Sequence, residues 1–146
     1  IANESNDKYQ INNKLLGKID KILKNLVMAK GKKMGKIIYN SLAGYQWLLI
    51  VASLCVVYRD NPQKRRYQTI ILEIARKNGK TFIVALLLLL LFYIEPKFSK
   101  FFSVAPDGAL AKEIKEALEP LMDINSDILD KKKSFKILRD NIVFKD

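Results

Sequence analysis

One run of eight residues in this sequence has the types and spacing to do chemistry, Ile74-Ala75-Arg76-Lys77-Asn78-Gly79-Lys80-Thr81. It matches the phosphate-binding pattern Gly-x-x-x-x-Gly-Lys-[Ser/Thr], except that Ile74 replaces the first glycine. In such a loop, backbone N–H groups and the positive end of the following helix converge on an anion. Lys80 can neutralise the β- and γ-phosphates of a nucleotide, and the Thr81 hydroxyl can bind Mg²⁺. The alternative is a basic turn that contains Gly-Lys-Thr by chance.

The segments on either side of this run are those that a phosphate loop needs. YQTIILEIA at 67–75 predicts a strand buried on both faces, because it is rich in isoleucine and leucine. Residues 81–94 are apolar around the whole circumference and predict a buried helix, which Pro96 ends. A second strand is predicted within 96–106, with Phe101, Phe102 and Val104 at its centre.

The remainder of the C-terminal half predicts a further helix and two more strands. Asp107 is placed to cap the helix, and Pro120 is expected to kink or end it. Its apolar face is made by Leu110, Ile114, Leu118 and Leu121. SFKILRDNIVFKD predicts a strand, a turn at Asp140-Asn141 and a second strand. From residue 67 the order is β-α-β-α-β, so we predict an α/β fold with a parallel sheet covered by helices.

The N-terminal part of the chain predicts helices. Residues 13–30 form an amphipathic pattern whose apolar stripe is Leu15, Ile19, Ile22, Leu23 and Leu26. AKGKKMGK at 29–36 predicts a mobile connector, and 42–58 a largely buried helix. The apolar stretches 48–58 and 82–94 are too short to span a bilayer, which takes about 20 residues. We therefore expect core helices and no membrane partner.

Composition excludes several kinds of active site. The 146 residues contain no histidine and a single cysteine, Cys55, so the chain cannot build a Ser-His or Cys-His nucleophile. Lys and Arg outnumber Asp and Glu by 26 to 15, for a net charge of +11. Residues 1–40 hold nine Lys against three acids, and 59–80 hold seven bases against two acids. This excess predicts a polyanionic partner such as nucleic acid, bound without sequence preference.

The string ARKNGKT follows a predicted strand with a basic-aromatic start, Arg65-Arg66-Tyr67. It resembles the deviant Walker A loop of the large terminase subunits of tailed bacteriophages. Tyr45-Gln46-Trp47, followed by an apolar helix, is similar to the segment that precedes that loop in the family. The apolar helix after the loop, the strand FFSVA and the helix from Asp107 match in order and spacing. The resemblance covers about 37–122.

The resemblance implies a P-loop NTPase with an incomplete RecA-like parallel sheet, preceded by a helical N-terminal segment. It implies that ATP and Mg²⁺ are bound, with Thr81 on the metal and catalytic roles for Arg76, at the γ-phosphate, and Lys80. Gln46 would contact adenine, and the phosphate cradle would comprise Ala75, Arg76, Lys77, Asn78, Gly79, Lys80 and Thr81. The implied partners are double-stranded DNA, the portal protein, the small terminase subunit and other copies of this chain, in the host bacterial cytoplasm.

Two departures from the family limit what this chain is expected to do. Leu110 stands where a glutamine is expected, and a Walker B strand ending in Asp-Glu is missing. Glu95 and Asp140 are poor substitutes by their predicted positions. We expect residues 1–36 to be a basic helical arm, and 37–146 the N-terminal portion of the ATPase domain. Walker B and the nuclease domain would then lie beyond Asp146, and the chain alone would hydrolyse ATP poorly.

Three other interpretations stay open. The chain could be a helicase-like P-loop ATPase, which shares the predicted fold. It could be a basic nucleic-acid-binding protein without enzymatic activity. It could also act at a membrane surface, if the face around 86–91 were exposed.

Overall fold

The computed structural model describes residues 8–75, 77–96, 99–104, 106, 108–129, 135–137 and 142–144. For 109–111 and the two C-terminal segments it describes only the backbone. The described part forms one hydrophobic core in which an N-terminal helix and a central apolar helix share buried side chains. The largest fully buried ones are Ile19, Leu23, Leu26, Ile38, Ile50, Ile83, Leu86, Leu89, Leu90, Leu118, Leu121 and Met122.

Helix α1 spans Asn13–Asn25 and is shorter than the sequence pattern predicts. The Asn12 side-chain oxygen caps it by accepting a hydrogen bond from the Leu15 N–H at 3.1 Å. The helix ends because the backbone of Val27 is bound elsewhere. Asn125 accepts from the Val27 N–H at 2.7 Å and donates to the Val27 carbonyl at 2.9 Å. The predicted apolar stripe is confirmed, since Ile19, Leu23 and Leu26 are fully buried.

The glycine-rich segment after α1 forms a defined turn, where the sequence predicts a connector. It contains a 3₁₀ turn at Gly31–Lys33 and leads to the short helix α2 at Ile38–Ser41. Gly35 adopts a left-handed conformation with φ +77° and donates to the Met28 carbonyl at 2.8 Å. The Met28 N–H donates in turn to the Lys36 carbonyl at 2.9 Å, which closes the turn.

The predicted helix over 42–58 is divided into three different conformations. Helix α3 spans Gly44–Ile50, a π-helical turn follows at Val51–Cys55, and strand β2 spans Val56–Tyr58. The prediction of helix was wrong for the last three residues, because they pair with an N-terminal strand. Strand β1, Tyr9–Ile11, lies antiparallel to β2 with Tyr9 opposite Tyr58.

Residues 59–79 contain no helix and no named strand among those described. The first part folds back on β2: the Tyr58 N–H donates to the Lys64 carbonyl at 3.0 Å, and the Arg66 N–H to the Val56 carbonyl at 2.9 Å. In 71–75 the side chains alternate between exposed and half-buried. Leu72 packs against the core. Burial on both faces was predicted here and was wrong, because Ile71 is 88% exposed.

Helix α4 spans Lys80–Ile94, and its side chains from Thr81 to Ile94 are all buried or half-buried, as predicted. It packs against α1 and against α5, which spans Gly108–Ile124. Helix α5 continues through Pro120 to Ile124, so Pro120 does not end the helix. None of the described helices has the length and apolarity needed to cross a membrane.

The predicted second strand is also unpaired in the described residues. Phe101 packs edge-on against Phe92, with ring centroids 5.2 Å apart, whereas Phe102 and Val104 are exposed. Asp107 lies outside the described residues. Helix α6 spans Ser126–Leu129, and strands β3 (Phe135–Ile137) and β4 (Ile142–Phe144) form an antiparallel pair, as predicted. Both described sheets are thus two-stranded and antiparallel, and the parallel sheet stays a prediction.

We expect Asn125→Ala to lower the free energy of unfolding by about 3 kcal/mol, because it leaves a backbone N–H and a carbonyl of Val27 without their partner. Asn125 is 1% exposed, so water cannot take over these hydrogen bonds easily. Urea denaturation measures the difference. The control is Asn25→Ala, an exposed asparagine that donates to the Lys21 carbonyl, with an expected change of about 0.5 kcal/mol or less. Equal losses in the two variants would show that Asn125 does not hold the end of α1.

Candidate functional site

The loop before α4 contains two left-handed residues, Lys77 with φ +65° and Gly79 with φ +75°. Lys77 is the one non-glycine residue with positive φ in the described part of the chain. A lysine in this conformation is strained by about 1–2 kcal/mol. Left-handed residues within a turn direct neighbouring backbone N–H groups toward a common point, which is the geometry of an anion-binding concavity. Two left-handed residues of this kind therefore stand within the predicted phosphate loop.

Gly79 is also the N-cap residue that directly precedes α4. Its carbonyl accepts from the Ile83 N–H at 3.0 Å, and no side-chain hydrogen bond caps the helix. The first N–H groups of a helix have no partner within it, and here they follow directly on the left-handed turn. Lys80 is the first residue of α4 and Thr81 the second, with Lys80 exposed and Thr81 half-buried. The cation and the hydroxyl thus lie at the positive end of the helix.

Helix α3 contacts the loop from a distant part of the sequence. The Tyr45 hydroxyl donates to the Asn78 carbonyl at 2.6 Å. The Gln46 Nε2 atom lies 3.4 Å from the position that a Cβ on residue 79 would occupy. The structure therefore brings Tyr45 to Asn78 and Gln46 to Gly79, so two neighbouring residues of α3 lie against the loop.

Gln46 is held in place by its other side-chain atom. Its Oε1 accepts from the Ala43 N–H at 2.9 Å, which fixes the side chain at the start of α3. Gln46 is 8% exposed. Because Oε1 is used in this way, Nε2 is the atom that faces Gly79.

The other predicted site residues are placed as follows. Ala75, Lys77 and Asn78 are exposed in the loop. Arg76 and the side chain of Leu110 lie outside the described residues. Tyr45 is a contact that the sequence reasoning did not assign, although it stands next to Gln46 in the segment compared with the terminases. Its adjacency to Gln46 was the signal, but a hydrogen bond between side chain and backbone 33 positions apart has no sequence signature.

Glu95 lies at the opposite end of α4 from this loop. The helix has 15 residues, which makes it about 22 Å long. The Glu95 carboxylate forms an ion pair with Arg65. The expectation that Glu95 cannot serve the phosphate loop is therefore confirmed by its position.

Cys55 is not suited to nucleophilic chemistry. Its side chain is fully buried at the end of the π-helical turn. Burial raises the pKa of this thiol to about 11, and the positive charge of Arg65 opposes that shift. The thiol is therefore protonated at neutral pH, while the nucleophile in cysteine chemistry is the thiolate.

Comparisons of the chain with protein families, with curated proteins and with solved structures find no match.

Gly79→Ala is expected to weaken binding of Mg·ATP and to lower stability, while Gly35→Ala is expected to lower stability alone. Both glycines are left-handed, with φ +75° and +77°, so each alanine costs about 1–2 kcal/mol of conformational energy. A Cβ added at position 79 would lie 3.4 Å from the Gln46 Nε2 atom, whereas a Cβ added at position 35 would have no atom within 4 Å. Calorimetric titration and thermal unfolding measure the two effects. Unchanged ATP affinity in Gly79→Ala would contradict the assignment of the loop.

Proposed function

We propose that this chain is the ATP-binding portion of a P-loop ATPase similar to the large terminase subunit, the motor that packages DNA into phage procapsids. One observation carries the proposal. A left-handed glycine directly precedes the Lys-Thr that opens a long helix, and Tyr45 and Gln46 contact that turn from another helix. The motif and the upstream glutamine were independent parts of the sequence resemblance, and their proximity supports assigning them to one nucleotide site.

The residues of the loop have the chemistry needed for a nucleotide phosphate. Backbone N–H groups at Gly79 and at the start of α4, with the Lys80 ammonium, would hold the β- and γ-phosphates. The Thr81 hydroxyl would be a protein ligand for Mg²⁺. Bound Mg·ATP supplies the phosphoanhydride bond whose hydrolysis drives such motors. By resemblance, Arg76 would reach the γ-phosphate.

Gln46 is proposed to contact adenine through Nε2. The support is the position of this atom beside Gly79, together with the anchoring of Oε1 to the Ala43 N–H. Tyr45 would act as a positioning residue, because its hydrogen bond to the Asn78 carbonyl holds the turn against α3.

The proposed fold is an α/β P-loop domain in which residues 67–75 and 99–104 are strands of a parallel sheet. The alternating exposure of 71–75 is typical of an extended strand, since a strand presents successive side chains to opposite faces. Exposed Ile71, Phe102 and Val104 are also typical of strands whose neighbours are missing. In the working motor the partners would be double-stranded DNA, the portal protein, the small terminase subunit and further copies of the chain, in the host cytoplasm.

We expect Lys80→Ala to abolish measurable binding of Mg·ATP, because the loop loses the ammonium at the start of α4. Calorimetric titration measures affinity, and thermal unfolding with Mg·ATP provides a second readout. The control is Lys100→Ala, which removes an equal charge from an exposed position outside the loop and should bind as the unmodified protein does. Unchanged affinity in Lys80→Ala would favour the basic nucleic-acid-binding protein in which Gly-Lys-Thr occurs by chance.

Turnover by these 146 residues alone is expected to be far below that of a working ATPase. Hydrolysis needs a carboxylate to organise Mg²⁺ and a residue to orient water, and Glu95 lies at the far end of α4, paired with Arg65. A phosphate-release assay on the purified chain, with Lys80→Ala as the background, measures this. Turnover of about 1 s⁻¹ that is lost in Lys80→Ala would show that the chain contains its own catalytic acid.

A further inference from the structure

A basic cleft lies at the other end of α4 from the phosphate loop. It has a volume of about 1070 Å³ and is open to solvent. It is lined by residues of α1 between Lys14 and Lys21, by the segment 61–68, and by the end of α4 with Pro96. Its lining also includes the apolar side chains Leu54 and Val57. Because α4 is about 22 Å long, this cleft is a separate feature from the candidate nucleotide site.

The cleft collects positive charge from two segments that are far apart in the sequence. Helix α1 contributes Lys14, Lys18 and Lys21, and the segment 61–68 contributes Lys64 and Arg65. Among the described residues that line it, Glu95 is the single acid, and it is paired with Arg65. Apolar walls beside charges of one sign focus their electric field into the cleft.

The basic face of α1 is not explained by the stability of the helix. Lys14 and Lys18 are four residues apart, and Lys18 and Lys21 are three apart, so like charges repel along one side. Lys18 has a structural role, because its Nζ donates to the Tyr93 carbonyl at 2.6 Å near the end of α4. Lys14 and Lys21 have no ion pair among the described residues.

Gly17 lies on the same face and also lines the cleft. Glycine in the middle of a helix destabilises it relative to alanine. The helix does not need it here, because its φ is not positive and a Cβ would meet nothing within 4 Å. Close approach of another molecule to the backbone is a use of glycine that would account for Gly17.

The segment 61–68 is held in a fixed position and adds neutral polar groups to the lining of the cleft. Hydrogen bonds from Tyr58 to Lys64 and from Arg66 to Val56 fasten this segment to β2. Asn61, Gln63 and Gln68 line the cleft beside the two bases. Amide side chains of this kind, with Lys and Arg, are the usual contacts to phosphate and sugar oxygens.

We propose that this cleft binds the sugar-phosphate backbone of double-stranded DNA. The bases and amides that line the open cleft fit the phosphate and sugar oxygens of a charged strand that enters it. The choice of DNA over another polyanion rests on the proposed function. The charge, the amides and Gly17 are observations independent of the nucleotide site.

The test compares two double variants by fluorescence anisotropy with a labelled DNA duplex over a range of salt concentrations. Lys14→Ala/Lys21→Ala removes two charges from the cleft, and Lys32→Ala/Lys36→Ala removes two from exposed positions outside it. The cleft variant should show a log–log salt slope shallower by about 2, since each lost phosphate contact reduces it by about 0.9. The outside variant should keep the slope nearly unchanged. Equal effects in the two variants would overturn the proposal.

Gly17 provides a test that leaves the charge unchanged. Gly17→Ala should raise the melting temperature of the chain, because alanine favours the helix. Gly17→Leu should be folded as well, and its side chain should obstruct the cleft and weaken DNA binding about tenfold or more, on the scale of a lost close contact. DNA affinity equal to that of the unmodified protein in Gly17→Leu would contradict the close approach.

Two further measurements separate this proposal from the proposed function. The cleft variant should bind Mg·ATP normally, and Lys80→Ala should bind DNA normally. If both variants bind Mg·ATP normally and the cleft variant loses DNA binding, the nucleotide site is refuted and the proposal for the cleft is supported. Tighter binding to phosphatidylserine vesicles than to the duplex, with the same dependence on Lys14 and Lys21, would overturn the assignment to DNA.

Discussion

The structure depends on the burial of one helix, α4, that is apolar on every side. Such a helix must be covered around its whole circumference, and here α1 and α5 provide much of that cover. Its fully buried residues are Ile83, Ala85, Leu86, Leu89 and Leu90. Burying a leucine or isoleucine side chain contributes about 1.5–3 kcal/mol. The position of α4 is therefore strongly determined, and everything attached to its two ends is positioned with it.

The two ends of α4 carry different chemistry for that reason. Its first residue, Lys80, follows a left-handed glycine and opens the candidate phosphate loop. Its last turn lies beside Lys18 and Glu95 at the basic cleft. A rigid helix keeps the two features apart, so a nucleotide and a polyanion could be bound together without competing for the same lysines. The buried middle of α4 supplies rigidity, and both proposed sites lie at its ends, where Lys14, Lys21 and Lys80 are exposed.

Much of the local structure and of the candidate site was predictable from residue patterns. The stripe of α1, the burial of α4 and the C-terminal strand pair follow from hydrophobic periodicity, which acts over neighbouring residues. The Gly-Lys-Thr run predicted a turn followed by a helix, and Gly79 is left-handed at that point. Where prediction failed, a distant partner was responsible. Asn125 ends α1 by binding Val27 across 98 positions, and β1 converts the last residues of a predicted helix into strand β2.

The sequence by itself determined where the Gly-Lys-Thr run stands, where the charge is concentrated and which helix must be buried. Those properties belong to residue types and to spacings of a few positions. Tertiary structure alone decided that Tyr45 and Gln46 meet the loop at Asn78 and Gly79. It also decided that the lysines of α1 line one cleft together with Lys64 and Arg65. Contacts of this kind depend on how the helices pack, and the side chains that form them leave no periodic signal along the chain.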